Sequence, residues 1–566
     1  MLRAFLRTVL SIFLVCVALF LFSSSGQAIE PENGAEALII GKVYDTNDQP
    51  LPGAHVSLVR SSDDVMLAEA ETQPDGRFSL SAPGAIPDRM SLRIERPHYQ
   101  RLDKELHPSQ ISDLRARIPV VLPDVQLPLA IGPAFWIATA VFVGTLIIIA
   151  TGKLHTSLAG LVGTVVLFGV SYLGRALRED LFIFDFNGAL RYIDWNVIFL
   201  IMGMMIVLAV VERTGIFQWL AIRAYRISGG KMLVLLPILM LITGISSAFL
   251  DNVTTMLLMT PISVQIALVM GINPLVLLIP EVMASNVIGV STLIGTPTNI
   301  LIGSFAGISF NDFLTNLTPG VVLSFVGLLI YSCLIYRREL TSSDEGSTEL
   351  LEKLRERGKI TEPEDLQKAG WVGLGMLLLF IFGEKVHLLP AVTALAGATA
   401  LMLWIKPDIQ EMIEAVDWTT LVFFISLFIV VGAVREVGLI GIIANMIGRL
   451  VGDNLLLGIL VVTWLSAICS MVIANIPFTA AMLSVVGFLT SSIPSADNNV
   501  LFYCLSIGAA MGGNGSLIGA SANMITAGIS NSAGYPITYS YFLKKGFPAL
   551  IITVSLALIW LLIRFM

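Results

Sequence analysis

The chain has 566 residues, of which 55% are hydrophobic and 13% charged, with a mean hydropathy of +0.83. A soluble protein carries about 25% charged residues, so an assembly of water-soluble domains is excluded and an integral membrane protein is expected. A net charge of -7 gives no basic footprint for nucleic acid, the four cysteines show no C-x-x-C spacing, and the five histidines include no H-E-x-x-H, so nucleic-acid binding and zinc-dependent hydrolysis are set aside.

The chain opens like a secretory signal. Arg3 and Arg7 precede an apolar run over 8–22, and Gly26-Gln27-Ala28 resembles a cleavage site, giving a signal peptide over 1–28. An uncleaved anchor helix is the alternative, and both place the next segment outside the cytoplasm. Residues 36–124 are more polar, with apolar alternation at 38–43, 55–59 and 77–80. Turn signals at Asn47-Asp48, Pro52-Gly53, Pro74-Asp75-Gly76 and Pro83-Gly84 separate these runs, so a small extracytoplasmic β-sandwich is expected. The run GKVYDTNDQPLPGAHVSLV and the later ETQPDGRFSLSAPG resemble carboxypeptidase-regulatory-like modules. No catalytic constellation is visible in it, and His55, His98 and His107 read as surface residues.

From Ile131 onward the sequence repeats itself. Asp194-Trp195 and Asp417-Trp418 each open an apolar span, and Asn252 and Asn475 fall at the same offset of 223 residues. Thr292-Leu293-Ile294-Gly295 with Asn299 matches Ser516-Leu517-Ile518-Gly519 with Asn523 at an offset of 224. Two copies of one unit, 131–336 and 371–566, are therefore expected, joined by a charged cytoplasmic linker over 337–370.

In the first copy, spans are expected at 133–151, 156–174 and 195–211, followed by a surface helix at 215–228. A re-entrant hairpin over 232–270 with its tip at Asp251, a broken helix over 275–308 and a span at 318–336 complete it. The second copy is expected to place spans at 371–384, 390–405 and 418–434, a hairpin at 455–490, a broken helix at 500–530 and a last span at 547–564. Starting outside, this arrangement puts most Lys and Arg in the cytoplasm, as the positive-inside rule requires. It also inverts the second copy relative to the first, a pattern of secondary transporters. The fold class is thus an all-α polytopic membrane protein of two inverted repeats with hairpins and broken helices, plus the small β-sandwich.

Gly, Pro, Asn, Ser and Thr crowd at four points, and backbone at membrane depth must find partners in protein, water or a bound ion. Half-helix N-termini there favour an anion, and freed carbonyls and C-terminal ends favour a cation. The candidate coupling-ion and substrate residues are Asp251, Asn252, Thr254, Thr255, Ser291, Thr292, Thr296, Asn299, Asn475, Thr479, Asn514, Ser516 and Asn523. A sodium ion is expected near Asp251, Asn252 and Asn299. Pro261, Pro297 and Pro477 fit helix breaks. A carboxylate inside an apolar run costs at least ~2.5 kcal/mol to insert, so Asp251 reads as a cation or proton site, with a helix cap as the alternative. Glu281 reads as a residue near the N-terminal end of its helix acting on the helix dipole, and Glu212 and Glu436 as solvated span ends.

AFLDNVTTMLLMTP, GGNGSLIGASAN and GYPITYSYFLKKGFPA resemble the ion transporter superfamily, which includes the P protein family, arsenite permeases, sodium/proton antiporters and, more distantly, citrate transporters. The resemblance covers 131–566. It implies an elevator mechanism in a homodimer, with Asn252, Thr254, Asn299, Asn475, Thr479 and Asn523 lining the site. Two departures stand out. Ala474 occupies a position where P-like sequences carry Asp, and Gly295-Thr296-Pro297-Thr298-Asn299 replaces Gly-Asp-Pro-Pro-Asn. A site with fewer carboxylates tolerates an anion better.

The expected function is secondary active transport of a small inorganic or carboxylate anion coupled to Na+ or H+, with no enzymatic activity and no cofactor. Na+/H+ antiport and a passive anion channel are the alternatives. The expected location is the plasma (inner) membrane, with lipid and a second copy as partners and no nucleic acid.

Overall fold

The computed structural model describes residues 37–46, 49–82, 85–341, 360–493, 495–496 and 498–566. The expected signal segment, the turn signals Asn47-Asp48 and Pro83-Gly84, and most of the charged linker lie outside the described residues. The chain divides into two compact units between Pro128 and Leu129.

The first unit is a sandwich of two four-stranded sheets. Its strands are β1 (Leu38–Asp45), β2 (His55–Arg60), β3 (Met66–Glu71), β4 (Arg77–Ser81), β5 (Met90–Glu95), β6 (Leu102–Glu105), β7 (Val120–Val121) and β8 (Val125–Leu127), with helix α1 (Pro108–Arg115) before β7. One sheet pairs β1 with β4 antiparallel and with β7 and β8 in parallel; the other runs β3-β2-β5-β6, antiparallel throughout. Period-two alternation turns Ile39, Val43, Phe78 and Leu80 of the first sheet, and Val56, Leu58, Leu92 and Ile94 of the second, into the buried core. His107 caps α1, accepting from the Ser109 N–H.

The second unit is helical. Its first half contains α2 (Pro133–Thr151), α3 (Thr156–Gly169), α4 (Phe186–Arg191), α5 (Trp195–Arg213), α6 (Ile216–Ser228), α7 (Met232–Phe249), α8 (Asn252–Val269), α9 (Leu275–Ile288), α10 (Pro297–Ala306) and α11 (Phe310–Ile335). A short helix α12 (Arg337–Thr341) follows. The second half contains α13 (Pro363–Phe382), α14 (Pro390–Ile405), α15 (Ile409–Glu414), α16 (Trp418–Glu436), α17 (Leu439–Val451), α18 (Leu455–Val472), α19 (Asn475–Ser492), α20 (Val500–Gly512), α21 (Ser521–Ser532) and α22 (Tyr539–Phe565). Each helix from α2 to α11 has its counterpart from α13 to α22 in the same order. Among the described residues, 11 helices are long and apolar enough to cross a membrane.

The counterparts α5 and α16 run in opposite directions. The start of α5 (Asp194 to Asn196) and the end of α16 (Val431 to Arg435) line one cleft, while Arg213 at the end of α5 pairs with Glu411 just before α16 begins. The two halves interlock. Helix α3 lies along α16, where Ser157 Oγ donates to Thr419 O and Thr164 Oγ1 to Ser426 O; α5 lies on α14 in the symmetry-related pairing.

Several expected boundaries shift. Helices α11, α13 and α22 begin well before the expected 318, 371 and 547. Their first turns carry polar residues, so hydropathy misses them, yet their starts are marked: Ser309 and Asp312 form a capping box on α11, Thr538 caps α22, and α13 opens on Pro363 without a side-chain cap. Pro261 lies inside the uninterrupted α8 rather than at a break, whereas Pro297 and Pro477 sit in first turns, where a missing N–H costs nothing. The surface helix α6 has a counterpart, α17, that the expected order of the second copy omits.

Candidate functional site

Each repeat breaks one helix at its middle. After α9 a single 3-10 turn (Gly289–Ser291) runs into extended Thr292, and α10 restarts at Pro297. After α20 the turn Gly513–Gly515 runs into extended Ser516, and α21 restarts at Ser521. Glycine is required at the closest approach: a Cβ on Gly295 would lie 2.4 Å from Gly289 O and 2.7 Å from Ser247 O.

The carbonyls freed by each break are recovered by an asparagine one turn into the next helix. Asn299 Nδ2 donates to Val290 O (2.9 Å) and Thr292 O (2.8 Å), and Asn523 Nδ2 donates to Gly513 O (2.8 Å) and Ser516 O (2.9 Å). The hairpin tips dock at the same depth. Thr292 Oγ1 donates to Ala248 O, and Ser516 Oγ donates to Met471 O, each at the end of a hairpin's first arm. Each hairpin therefore turns back at the level where its neighbouring helix is interrupted.

The two halves meet through side-chain amides. Asn252 Nδ2 at the first tip donates to Asn286 Oδ1 (2.8 Å), and Asn286 Nδ2 donates to Asn514 Oδ1 (2.9 Å) and Asn523 Oδ1 (3.1 Å) across the repeat boundary. In the other direction Ser506 Oγ donates to Asn299 Oδ1 at 2.6 Å. All of these side chains are buried.

The expected site residues divide into three groups. Asn252, Asn514 and Asn523 converge through Asn286, and Asn299 makes a separate bond across the repeats by accepting from Ser506. Thr292 and Ser516 tie the tips to the breaks. The others serve local backbone: Ser291 Oγ donates to Ile288 O, Thr479 Oγ1 to Asn475 O, and Thr296 caps α10 by accepting from the Asn299 N–H. The Asn475 N–H donates to Gly519 O, joining the second tip to the second break. Asp251 caps α8, with Oδ1 accepting from the Thr254 N–H (2.9 Å) and Oδ2 from Thr254 Oγ1 (2.5 Å). Around the expected sodium position, the side-chain oxygens Asn252 Oδ1 and Thr255 Oγ1, the latter buried, have no hydrogen-bond partner among the described residues.

Two expectations are overturned. Glu281 is not at a helix end: it lies in the second turn of α9, fully buried, with Oε2 accepting from Thr243 Oγ1 (3.0 Å) and Ser263 Oγ (2.9 Å). Glu436 is half-buried and accepts from the Tyr192 hydroxyl instead of facing solvent, while Glu212 is exposed as expected. Sequence reasoning also missed Asn286 and Ser506. The signal for Asn286 was the pair Ser285-Asn286, which with Glu281 interrupts the apolar run of α9 just before Gly289.

A cleft of about 450 Å³ opens between α5, α16, α10 and α19. Leu301, Phe305, Phe428 and Leu483 line its apolar part, and exposed Arg191 and Arg435 stand at its rim. Among the described residues neither arginine has an ion-pair partner.

Comparison with known proteins agrees with this architecture. Residues 146–497 match the family described as citrate transporter, and residues 39–119 match the carboxypeptidase regulatory-like domain. A 46 kDa membrane protein of Mycobacterium leprae is 36% identical over 431 residues, covering 76% of this chain and 99% of that protein. An uncharacterized transporter of Mycobacterium tuberculosis is 34% identical over 441 residues, covering 76% of this chain and 98% of that one. The human P protein is 29% identical over 527 residues, covering 79% of this chain and 62% of the relative. With interrupted helices meeting at a buried polar centre, many apolar helices and these relatives together, the chain belongs to the citrate transporter family and is a multi-pass membrane transporter with a carboxypeptidase regulatory-like domain near its N-terminal end.

Proposed function

We propose that this transporter is a secondary active carrier of a small inorganic or carboxylate anion, coupled to Na+ or H+. One observation carries the anion assignment: the two repeats cap their helices differently. In the first, Asp251 and Thr296 close the N-termini of α8 and α10. In the second, α19 and α21 start at Ala474 and Ala520 with no side-chain cap. The first-turn N–H groups of Ser521 and Ala522, and that of Ile476, are thus open to a ligand, and two helix N-termini beside one buried amide cluster favour negative charge.

The substrate binds at the centre formed by Asn252, Asn514 and Asn523, with Thr255 and the tip residue Asp251 beside it. Arg191 and Arg435 at the cleft rim draw the anion in. The hairpins and broken helices (α7–α10 and α18–α21) move as a block against the remaining helices in an elevator cycle within a homodimer. The protein resides in the plasma membrane with lipid around it and its β domain on the extracytoplasmic side.

The test is reconstitution in liposomes with a pH dye inside, under imposed Na+ or K+ gradients, with and without citrate or arsenite. Dye response or accumulation that requires an anion supports this reading. Proton movement driven by a cation gradient alone would make the protein a Na+/H+ antiporter. Anion flux that never exceeds its own gradient would make it a channel.

A further inference from the structure

Glu281 has no part in the centre just described, yet it is a carboxyl group with no access to solvent. Thr243 on α7 and Ser263 on α8 both donate to Oε2, and Oε1 has no partner. Among the described residues no cation pairs with it. Among the helices packed against α9, α7, α8 and α21 carry no titratable side chain. Helix α11 carries Asp312, Tyr331 and Cys333; α20 carries Tyr503 and Cys504; α22 carries Tyr539, Tyr541, Lys544, Lys545 and Arg564. Asp312 is bonded to Ser309, the Tyr331 hydroxyl donates to Lys545 O, and Tyr503 accepts from Asn316. The Lys545 ammonium lies over the Tyr336 and Tyr541 rings, and Arg564 over Phe565. Glu281 bonds to none of these groups. Lys231 and Asp251 flank α7 and α8, and Asp251 is occupied by Thr254.

The fold does not require a carboxyl group here. The Ser247 Oγ bond to Ser285 O in the first repeat is reproduced by Ser470 Oγ to Ala509 O in the second. Counting back one turn from each acceptor pairs Glu281 with Leu505; the partners Thr243 and Ser263 correspond to Ser466 and Val486. All three are fully buried, and the position packs equally well as leucine. The carboxyl group is therefore specific to one repeat. It bridges both arms of the first hairpin to α9, five residues before Asn286 of the polar centre.

We infer that Glu281 is a proton-binding site and that its proton is the coupling ion. In the conformation described, the side chain is the neutral acid. Oε2 is the carbonyl oxygen that accepts two hydroxyl bonds, and Oε1 carries the proton. A charged carboxylate would leave Oε1 unpartnered in an apolar interior, and its desolvation would not be offset. During the cycle one proton leaves Oε1 for water on one side of the membrane and one returns from the other; no other covalent bond changes. Buried ionisable groups in membrane segments serve as proton relays on the same physical grounds. This inference rests on the coupled-transport reading above and selects H+ from its two candidate ions.

Two measurements on the full-length protein test it. The infrared spectrum at neutral pH is expected to contain a protonated-carboxyl band that shifts in D2O and is missing from Glu281→Gln. Titrating the wild type alone to high pH is expected to remove that band. A wild-type spectrum in which no band depends on Glu281 overturns the proton site without any need for a substrate.

In proteoliposomes, a pH difference of one unit sustains about tenfold accumulation per coupled proton. Glu281→Gln, which keeps the acceptor for Thr243 and Ser263, is expected to lose pH-driven citrate or arsenite accumulation while retaining anion exchange at equal pH. Accumulation by Glu281→Gln with the wild-type pH response overturns the coupling. A wild type that carries the infrared band but moves no anion defeats the anion-carrier reading and leaves the proton site standing.

Discussion

At the residue scale, charge is used sparingly and each carboxylate is given a distinct task. Asp251 holds the first turn of α8, so Asp251→Ala is expected to destabilise the protein by about 1 kcal/mol, whereas Asp251→Asn keeps a good cap and its melting temperature. Uptake by Asp251→Asn that matches the wild type at every pH and Na+ concentration would confine Asp251 to capping and remove it from coupling. In the β domain, Asp103 behaves oppositely to a buried acid. Desolvation pushes its carboxyl group upward, but hydrogen bonds from Arg101 and Arg93 outweigh it and hold the group below 3.8. The stability it contributes is complete above the unfolded value and is lost as pH falls through the lower folded value. Acid unfolding of the β domain followed by circular dichroism is expected to show this loss below about pH 4, the ordinary carboxylate value, and Asp103→Asn is expected to abolish that component. Asn286 and Glu281 show the limit of reading residues from sequence. Both lie in an apolar run whose periodicity gives no direction, and only the packing of α7, α8 and α9 shows that one faces the other repeat and the other faces two hydroxyls.

At the element scale, the helix breaks were legible because their chemistry is local. Glycine before, proline or serine at the restart and an asparagine beyond specify an interruption wherever the chain goes. Gly295→Ala is expected to prevent correct folding, since its methyl group would collide with the backbone of Gly289 and Ser247; loss of a monodisperse peak in size-exclusion chromatography would show it. Ala474 permits the opposite experiment. Ala474→Asp supplies the cap that Asp251 gives the first repeat, and is expected to raise stability by about 1 kcal/mol. The same charge at the end of α19 is expected to raise the KM for an anion; an unchanged KM would place the anion elsewhere. What stayed hidden were elements whose signal is not hydropathy: the polar first turns of α11, α13 and α22, and the short helices α4 and α15 that lead into the Asp-Trp pairs.

At the scale of the whole molecule, duplication was readable from three motifs in near-constant register, because a duplicated sequence preserves spacing even where its orientation changes, and inversion from the spans between them and the side that carries Lys and Arg. The interlock between halves was not readable, since no local pattern states that α3 will lie along α16 and α5 along α14. The cleft between α10 and α16 gives the elevator reading a direct check. With the native cysteines replaced, a cross-link between Leu301→Cys and Val431→Cys, both lining that cleft, is expected to arrest transport. A cross-link between Ser157→Cys and Thr419→Cys, within the block held fixed, is expected to leave it running. Equal activity from both cross-linked proteins would rule out sliding along this cleft.

The exchange of bonds at the centre also bears on how the protein is made. Asn299 Oδ1 is satisfied by Ser506, and the Asn286 amide by Asn514 and Asn523. A ribosome therefore makes Asn286 and Asn299 more than two hundred residues before the groups that satisfy them exist. During that interval the first break is half-built, with an amide and a carbonyl waiting in a low-dielectric medium. The first repeat is an unfinished product until its twin arrives, and either half synthesised alone should be handed to the cell's proteases.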